Sequence, residues 1–214
     1  MFDRKTLNLV RSIALLGLLA SVLVLGGCSS CKDFELQIDQ LNAQVAALQQ
    51  DIADREAVIT ERDQIAEELR GNLKDCQTEN AVLIEESEEV VMITIPDQLG
   101  FASGQFMVLD TMVPVLQAIA SSVRDHPDWD VYVEGYTDDM KISEEYQEYW
   151  PTNWEFGAFR ASAVVRYLTN DLGLDAERFA AVSYGPFRPV ASNDTPEGRA
   201  QNRMVRVVMH KAEM

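Results

Sequence analysis

Between Cys31 and Ile84 the chain has no proline and one glycine, Gly71, and its apolar residues recur at alternating spacings of three and four. With Ile38 as heptad position a, Ile38, Val45, Ile52, Ile59, Ala66, Leu73 and Asn80 fall at a. Leu41, Leu48, Arg55, Arg62, Leu69, Cys76 and Leu83 then fall at d. Eleven of these fourteen positions are apolar over more than six heptads, which points to a coiled coil and not to a short amphipathic core helix. β-branched residues at a with leucine at d favour two parallel strands, while Arg55, Arg62 and Asn80 weaken the seam and fix its register. The same pattern also serves a trimer, or a single long helix lying on the helices of another protein. A continuous helix over this segment would be roughly 75–80 Å long, a rod able to hold a C-terminal domain away from a membrane.

What precedes the rod supplies an anchor. Arg4, Lys5 and Arg11 stand before an apolar run from Ser12 to Leu25, followed by Gly26, Gly27 and Cys28. That order is a secretory signal, and the run falls short of the roughly 20 residues of a membrane-spanning helix. Leu25-Gly26-Gly27-Cys28 resembles the lipobox of bacterial lipoproteins. The resemblance implies a signal peptide of residues 1–27, cleavage before Cys28 and acylation of that cysteine, with an uncleaved signal anchor as the competing reading. Two or three acyl chains anchor a protein firmly where one does not. Ser29 follows the cysteine, where an aspartate would retain a lipoprotein at the inner membrane, so the implied location is the periplasmic face of the outer membrane.

Charge narrows the partners. The 214 residues carry 18 Lys+Arg against 35 Asp+Glu, a net of −17, and removal of the basic leader takes this to −19. Nucleic-acid binders gain affinity from a basic face that neutralises phosphates, and polybasic lipid contacts need the same, so neither partner is expected. Two histidines and three cysteines leave no zinc cluster or disulfide scaffold. The sequence has no nucleophile elbow, Ser/His/Asp set, metal motif or phosphate-cradling loop, so no enzyme and no cofactor is expected. Cys31 and Cys76 on one helix would lie about 65 Å apart and could not bridge each other. Extending the heptad puts Cys31 at a and Cys76 at d, each facing its own mate in a parallel homodimer, as an interchain disulfide or as a buried free thiol.

The acidic run Glu85-Glu86-Ser87-Glu88-Glu89 reads as a solvated linker, which divides the mature chain into a rod at 28–84, a linker at 85–89 and a domain at 90–214. In that domain Val90 to Ile95, Val131 to Glu134, Phe179 to Ser183 and Met204 to Met209 read as strands. A helix is expected from Asp110 to about Asp125. Thr152 and Glu155 form a capping box before a second, with Ala158, Ala161, Val165 and Leu168 on one face and Gly173 at its end. Thr195-Pro196 starts a short third helix. The expected fold class is α+β, a βαβαββ domain with helices on one face of a mixed four-stranded sheet.

The ordered set Phe101-Ala102-Ser103-Gly104, Gly135-Tyr136-Thr137-Asp138, Asn153, Arg160-Ala161, Glu197-Gly198-Arg199 and Asn202-Arg203 resembles the OmpA/MotB-type peptidoglycan-binding domain over about residues 90–211. Pro151 to Leu168, with the longer loop before it, is most similar to the MotB-like branch. The resemblance implies a ligand, the peptide stem of peptidoglycan, whose meso-diaminopimelate ends in an ammonium and a carboxylate on one carbon. It implies that Asp138 takes the ammonium and Arg160 the carboxylate, that Thr137 and Asn153 hydrogen-bond the ligand, and that Arg203 lies near the site. Arginine matches a carboxylate bidentately as lysine does not, and a lysine-type stem would leave Arg160 unpaired. The competing reading of Asp138 and Arg160 is a salt bridge fixing the helix over the strand end. Tyr136, Trp150 and Trp154 fit either the pocket wall or the core and are left out of the site as core, and the lone histidines His126 and His210 read as surface residues.

Four positions depart from the family pattern: Phe156-Gly157 where Leu-Ser is usual, Ser183 where glycine is common, and Met204 where a second arginine often follows Arg203. The resemblance and the leader together imply a tether between outer membrane and cell wall. The alternative is a wall-anchored accessory or stator-type component of a flagellar motor or secretion machine. A proton-carrying stator subunit needs an intramembrane carboxylate, and Ser12 to Gly27 has none.

Overall fold

The computed structural model describes residues 29–74 and 82–212. The leader, Cys28, Cys76 and the side chain of Cys31 lie outside what is described, and with them the expectations placed on lipidation and on interchain disulfides. A 44-residue helix, α1 (Ser29–Asn72), comes first. It is followed by β1 (Leu83–Ser87), β2 (Val90–Pro96), α2 (Val113–Asp125) and β3 (Trp129–Tyr136). Then come α3 (Asn153–Arg166), β4 (Phe179–Gly185), α4 (Pro196–Asn202) and β5 (Met204–Lys211). The chain divides into two compact units, the first ending at Ala53 and the second beginning at Asp54.

In the first unit the predicted seam is present and bare. Phe34, Ile38, Leu41, Val45, Leu48 and Ile52 are exposed by 41–63%. The second half of the helix behaves differently. Ile65, Ala66, Leu69 and Leu73 are wholly buried in the core of the second unit, with Val58 packed against it. The rod expected at 28–84 therefore ends early: α1 stops at Asn72, and Leu83, assigned to position d, lies in a strand. A helix covering a sheet and a coiled-coil seam both present an apolar stripe at spacing 3,4, so the pattern alone did not separate them. Val58 and Ile65, at position g, broaden the stripe toward a core-facing helix.

The acidic linker is also corrected. Leu83–Ser87 pairs antiparallel with β2 through a two-residue turn at Glu88-Glu89, where Glu88 has φ +49°. Ile84 turns inward, and Arg70 of α1 grips Glu86 through Nη1 at 2.6 Å and Nη2 at 2.8 Å. Acidic side chains on an edge strand hinder pairing with a further chain. Arg62 donates to the Glu88 carbonyl and Arg55 pairs with Glu89 at 3.3 Å, so the two d-position arginines reach toward this hairpin. His126, expected on the surface, stands between Glu61 at 3.3 Å and Glu68 at 3.4 Å of α1, with Lys211 2.8 Å from Glu61.

The sheet is mixed, as expected, but has five strands where four were expected, because Leu83–Ser87 adds an edge strand; the order is β1-β2-β5-β3-β4, and only β3 and β4 run parallel. Alternate residues Val91, Ile93 and Ile95, Val131 and Val133, and Val205, Val207 and Met209 are buried on one face. Against them pack Val115, Leu116, Ile119 and Val123 of α2, and Ala161 and Val164 of α3 with Leu168 in the π-turn that continues it. Arg178 ties the far edge, donating to the carbonyls of Val123 at 2.8 Å, His126 at 2.7 Å and Trp129.

Helix α3 crosses β3 nearly backbone to backbone. A β-carbon on Gly135 would lie 2.1 Å from the Gly157 carbonyl oxygen, and one on Gly157 would lie 2.4 Å from the Ser183 hydroxyl. The two family departures thus meet: Ser183 occupies the space that a side chain at 157 would need. Glycine at both crossing points is what allows the helix and strand backbones to approach this closely.

Candidate functional site

Strand register brings the polar residues to one end of the sheet. Pro96 of β2 and Tyr136 of β3 both pair with Met204 at the start of the antiparallel β5. The residues beyond those pairs, Asp97, Thr137-Asp138 and Arg203, therefore emerge side by side. Helix α3 begins over the same end, capped by Thr152, whose hydroxyl accepts from the Trp154 amide at 3.2 Å while Glu155 accepts from the Thr152 amide at 2.9 Å. Asn153, Phe156 and Arg160 follow at spacings of three and four, on one face of the helix.

Together these residues line an open cleft of about 680 Å³. Arg160, only 2% exposed, is held at its base. Its Nη2 lies 2.7 Å from Asp97 Oδ1, its Nε donates to the Gln105 carbonyl at 3.0 Å, and its guanidinium sits over the Phe156 and Phe101 rings at 4.2 and 5.0 Å. Arg203 Nη1 meets Asp138 Oδ2 at 2.6 Å and its Nε lies 3.5 Å from Asp97 Oδ2. The other Asp138 oxygen accepts from the Met140 amide at 3.1 Å. Trp150 walls the cleft, in ring contact with Phe106, Tyr146 and Phe159.

Burial raises the Asp97 carboxyl above its ordinary value, against the opposing pull of Arg160 and Arg203. Burial likewise lowers the Arg160 guanidinium, which Asp97 holds charged. The ion-paired Asp97 and Asp138 balance Arg160 and Arg203, and Lys141 adds a further positive side chain to the lining, so the cleft offers both signs of charge to a zwitterionic group.

Residues 100–203 match the OmpA family. This stretch is an OmpA family domain. The chain is 32% identical over 150 residues to motility protein B of Bacillus subtilis, covering 70% of this chain and 56% of that protein. The cell wall anchor of the type VI secretion system (T6SS) from Pseudomonas aeruginosa superposes with a TM-score of 0.59 at 34% identity, covering 68% of this chain and 97% of that one. A MotB-like protein from Desulfovibrio vulgaris superposes with a TM-score of 0.67 at 24% identity, over 75% and 97% of the two chains, and shows the shared fold. The chain spans about three fifths of the length of the curated relatives it matches.

In this OmpA family domain all five expected residues, Thr137, Asp138, Asn153, Arg160 and Arg203, line one cleft. Asp138 and Arg160 are not each other's ion-pair partners, which corrects the salt-bridge reading: Asp138 pairs with Arg203, and Arg160 with Asp97. Thr137 and Asn153 both donate to the Asp138 carbonyl, at 2.9 and 3.2 Å, and Asn153 also to the Met140 carbonyl at 2.9 Å, so they shape the loop carrying the acid. Asn202, part of the family motif, is structural. It accepts from the Val190 and Ala191 amides at 2.8 and 2.9 Å.

Sequence reasoning missed Asp97, Phe101 as a cleft wall, and the site role of Trp150. Asp97 had a signal: it follows the first predicted strand directly, as Asp138 closely follows the second. Trp150 is buried in the cleft wall, whereas Trp154, read as core, is 46% exposed.

Proposed function

We propose that the domain binds peptidoglycan non-covalently, with the end group of the stem meso-diaminopimelate seated between Asp138 and Arg160. The observation that carries this reading is the pair of acid–arginine contacts joined through Asp97 in one aromatic-walled cleft. The ammonium takes a place on Asp138, whose carboxylate is already oriented by the Met140 amide and Arg203. The carboxylate approaches the Arg160 guanidinium, whose planar fork is held by Asp97, Gln105 and the two phenyl rings. A bare lysine ammonium brings no carboxylate to Arg160 and gains only half of the recognition. These roles are binding roles, with no step of bond cleavage assigned to any residue.

In the same reading, acylated Cys28 holds the chain at the periplasmic face of the outer membrane, and the exposed seam from Phe34 to Ile52 pairs two copies in parallel. Co-sedimentation with diaminopimelate-type sacculi tests the wall contact. Asp138→Ala and Arg160→Lys, the latter keeping a buried positive charge, should each lose sedimentation; retention by both would overturn the site assignment. Metabolic palmitate labelling abolished by Cys28→Ser tests the anchor.

A second reading draws on the likeness to a secretion-system cell wall anchor and to motility protein B. Here wall binding fixes a trans-envelope machine, and the bare helical seam contacts that machine. Cross-linking from Leu41 or Leu48 separates the two, giving a self-dimer in the first case and a second protein in the other.

A further inference from the structure

Beside the cleft lies a second hollow of about 410 Å³ that the stem-peptide reading does not use. Its apolar wall is Trp154 stacked on Phe187, ring centroids 5.1 Å apart and planes 26° from parallel. Both rings are largely open to solvent, Trp154 by 46% and Phe187 by 67%. The same hollow is lined by polar side chains, among them Asp139, Lys141 and Gln147. Lys141, Ile142 and Asn153 line both hollows, so the two share a wall.

Two adjoining exposed rings at a groove present a contiguous apolar surface that a ligand can cover. A pyranose presents an apolar C–H face with hydroxyls around its edge. The C–H groups are drawn to the negative face of an aromatic ring, and the edge hydroxyls need donors and acceptors at its rim. An aromatic platform in a hollow that Asp139, Lys141 and Gln147 also line offers both. We propose that the Trp154–Phe187 platform is a saccharide subsite that stacks an amino-sugar ring of the glycan from which the stem peptide branches. The inference rests on the stem-peptide reading above, because the shared wall is what lets one branched ligand reach both hollows.

The test compares two ligands on the full chain in mild detergent: a meso-diaminopimelate-containing tripeptide, and the same tripeptide carried on its disaccharide. Wild-type protein should bind the disaccharide-peptide roughly tenfold more tightly than the peptide. Trp154→Ala and Phe187→Ala should each erase that preference and leave peptide affinity unchanged, while Trp154→Phe should retain most of it. Equal affinity of the wild type for both ligands, or a preference that survives both alanine variants, overturns the subsite. Platform-dependent binding of the disaccharide-peptide with no binding of the tripeptide upholds the subsite and overturns the stem-peptide reading. Binding of neither ligand overturns both.

Discussion

The Arg160 guanidinium and the Asp97 carboxylate meet at 2.7 Å in the base of the cleft, with side chains 3% and 12% exposed. One comes from the middle of α3 and the other from the residue just after β2, and each compensates a charge that burial has taken out of water. The pair is therefore both a structural joint and the floor of the proposed binding site.

Removing one partner leaves the other's charge buried. Asp97→Ala should destabilise the domain by about 3–5 kcal/mol, the usual cost of breaking a buried ion pair. Urea denaturation followed by circular dichroism measures it, and a loss below about 1 kcal/mol would show that Arg160 finds another partner.

The acid dependence of stability should have two opposed contributions. Arg70 hydrogen bonds hold Glu86 below its ordinary 4.5, so stability from this carboxylate is present above that value and is lost as pH falls through the folded-state pKa. Burial raises Asp97 above 3.8, so its contribution is greatest below that value and is lost as pH rises through its folded-state pKa. Thermal unfolding from about pH 6 downward should show Glu86→Gln less stable than wild type at the upper end, with a difference that shrinks as the pH falls below the ordinary carboxylate range. A constant difference across the range would contradict the assignment.

Gly157 and Ser183 should behave as one unit. Gly157→Ser alone forces its β-carbon into the Ser183 hydroxyl and should cost about 1–3 kcal/mol as overpacking. Adding Ser183→Gly should recover most of that loss, although the Gly135 carbonyl, 3.1 Å from the new β-carbon, must yield slightly. A double-mutant cycle with no coupling would mean that the helix moves away instead.

The two halves of α1 should respond differently to the same change. Leu69→Ala removes a fully buried side chain and should cost about 2–5 kcal/mol, whereas Leu48→Ala, at an exposed position, should leave the domain within about 0.5 kcal/mol of wild type. Leu48→Asp is expected to reduce self-association in sedimentation analysis and leave the unfolding of the domain unchanged. Equal effects at both leucines would contradict the division at Ala53.

The strands and helices from Val90 onward were legible because alternation, capping and turn residues are local signals. The Thr152–Glu155 capping box was read directly from spacing and is present in the structure. Five cleft residues came from the family motif, whose order tracks the sheet end where they gather. Asp97 escaped because its partner lies in another element, and no local pattern records a long-range ion pair. The strand at Leu83–Ser87 escaped because two glutamates and a serine outweighed one inward isoleucine in a composition reading, while Arg70, which neutralises Glu86, lies 16 residues earlier in α1.

By itself the sequence determined that a long amphipathic helix precedes an α+β domain, because periodicity is a property of the chain that folding must respect. What the apolar stripe meets was decided only in three dimensions. The first half stays bare and the second half closes the core of the sheet, since burial depends on which surface the folded domain leaves uncovered. The partners of Asp138 and Arg160 were decided in the same way. The order of the strands, not their sequence, places Arg203 beside one and Asp97 beside the other.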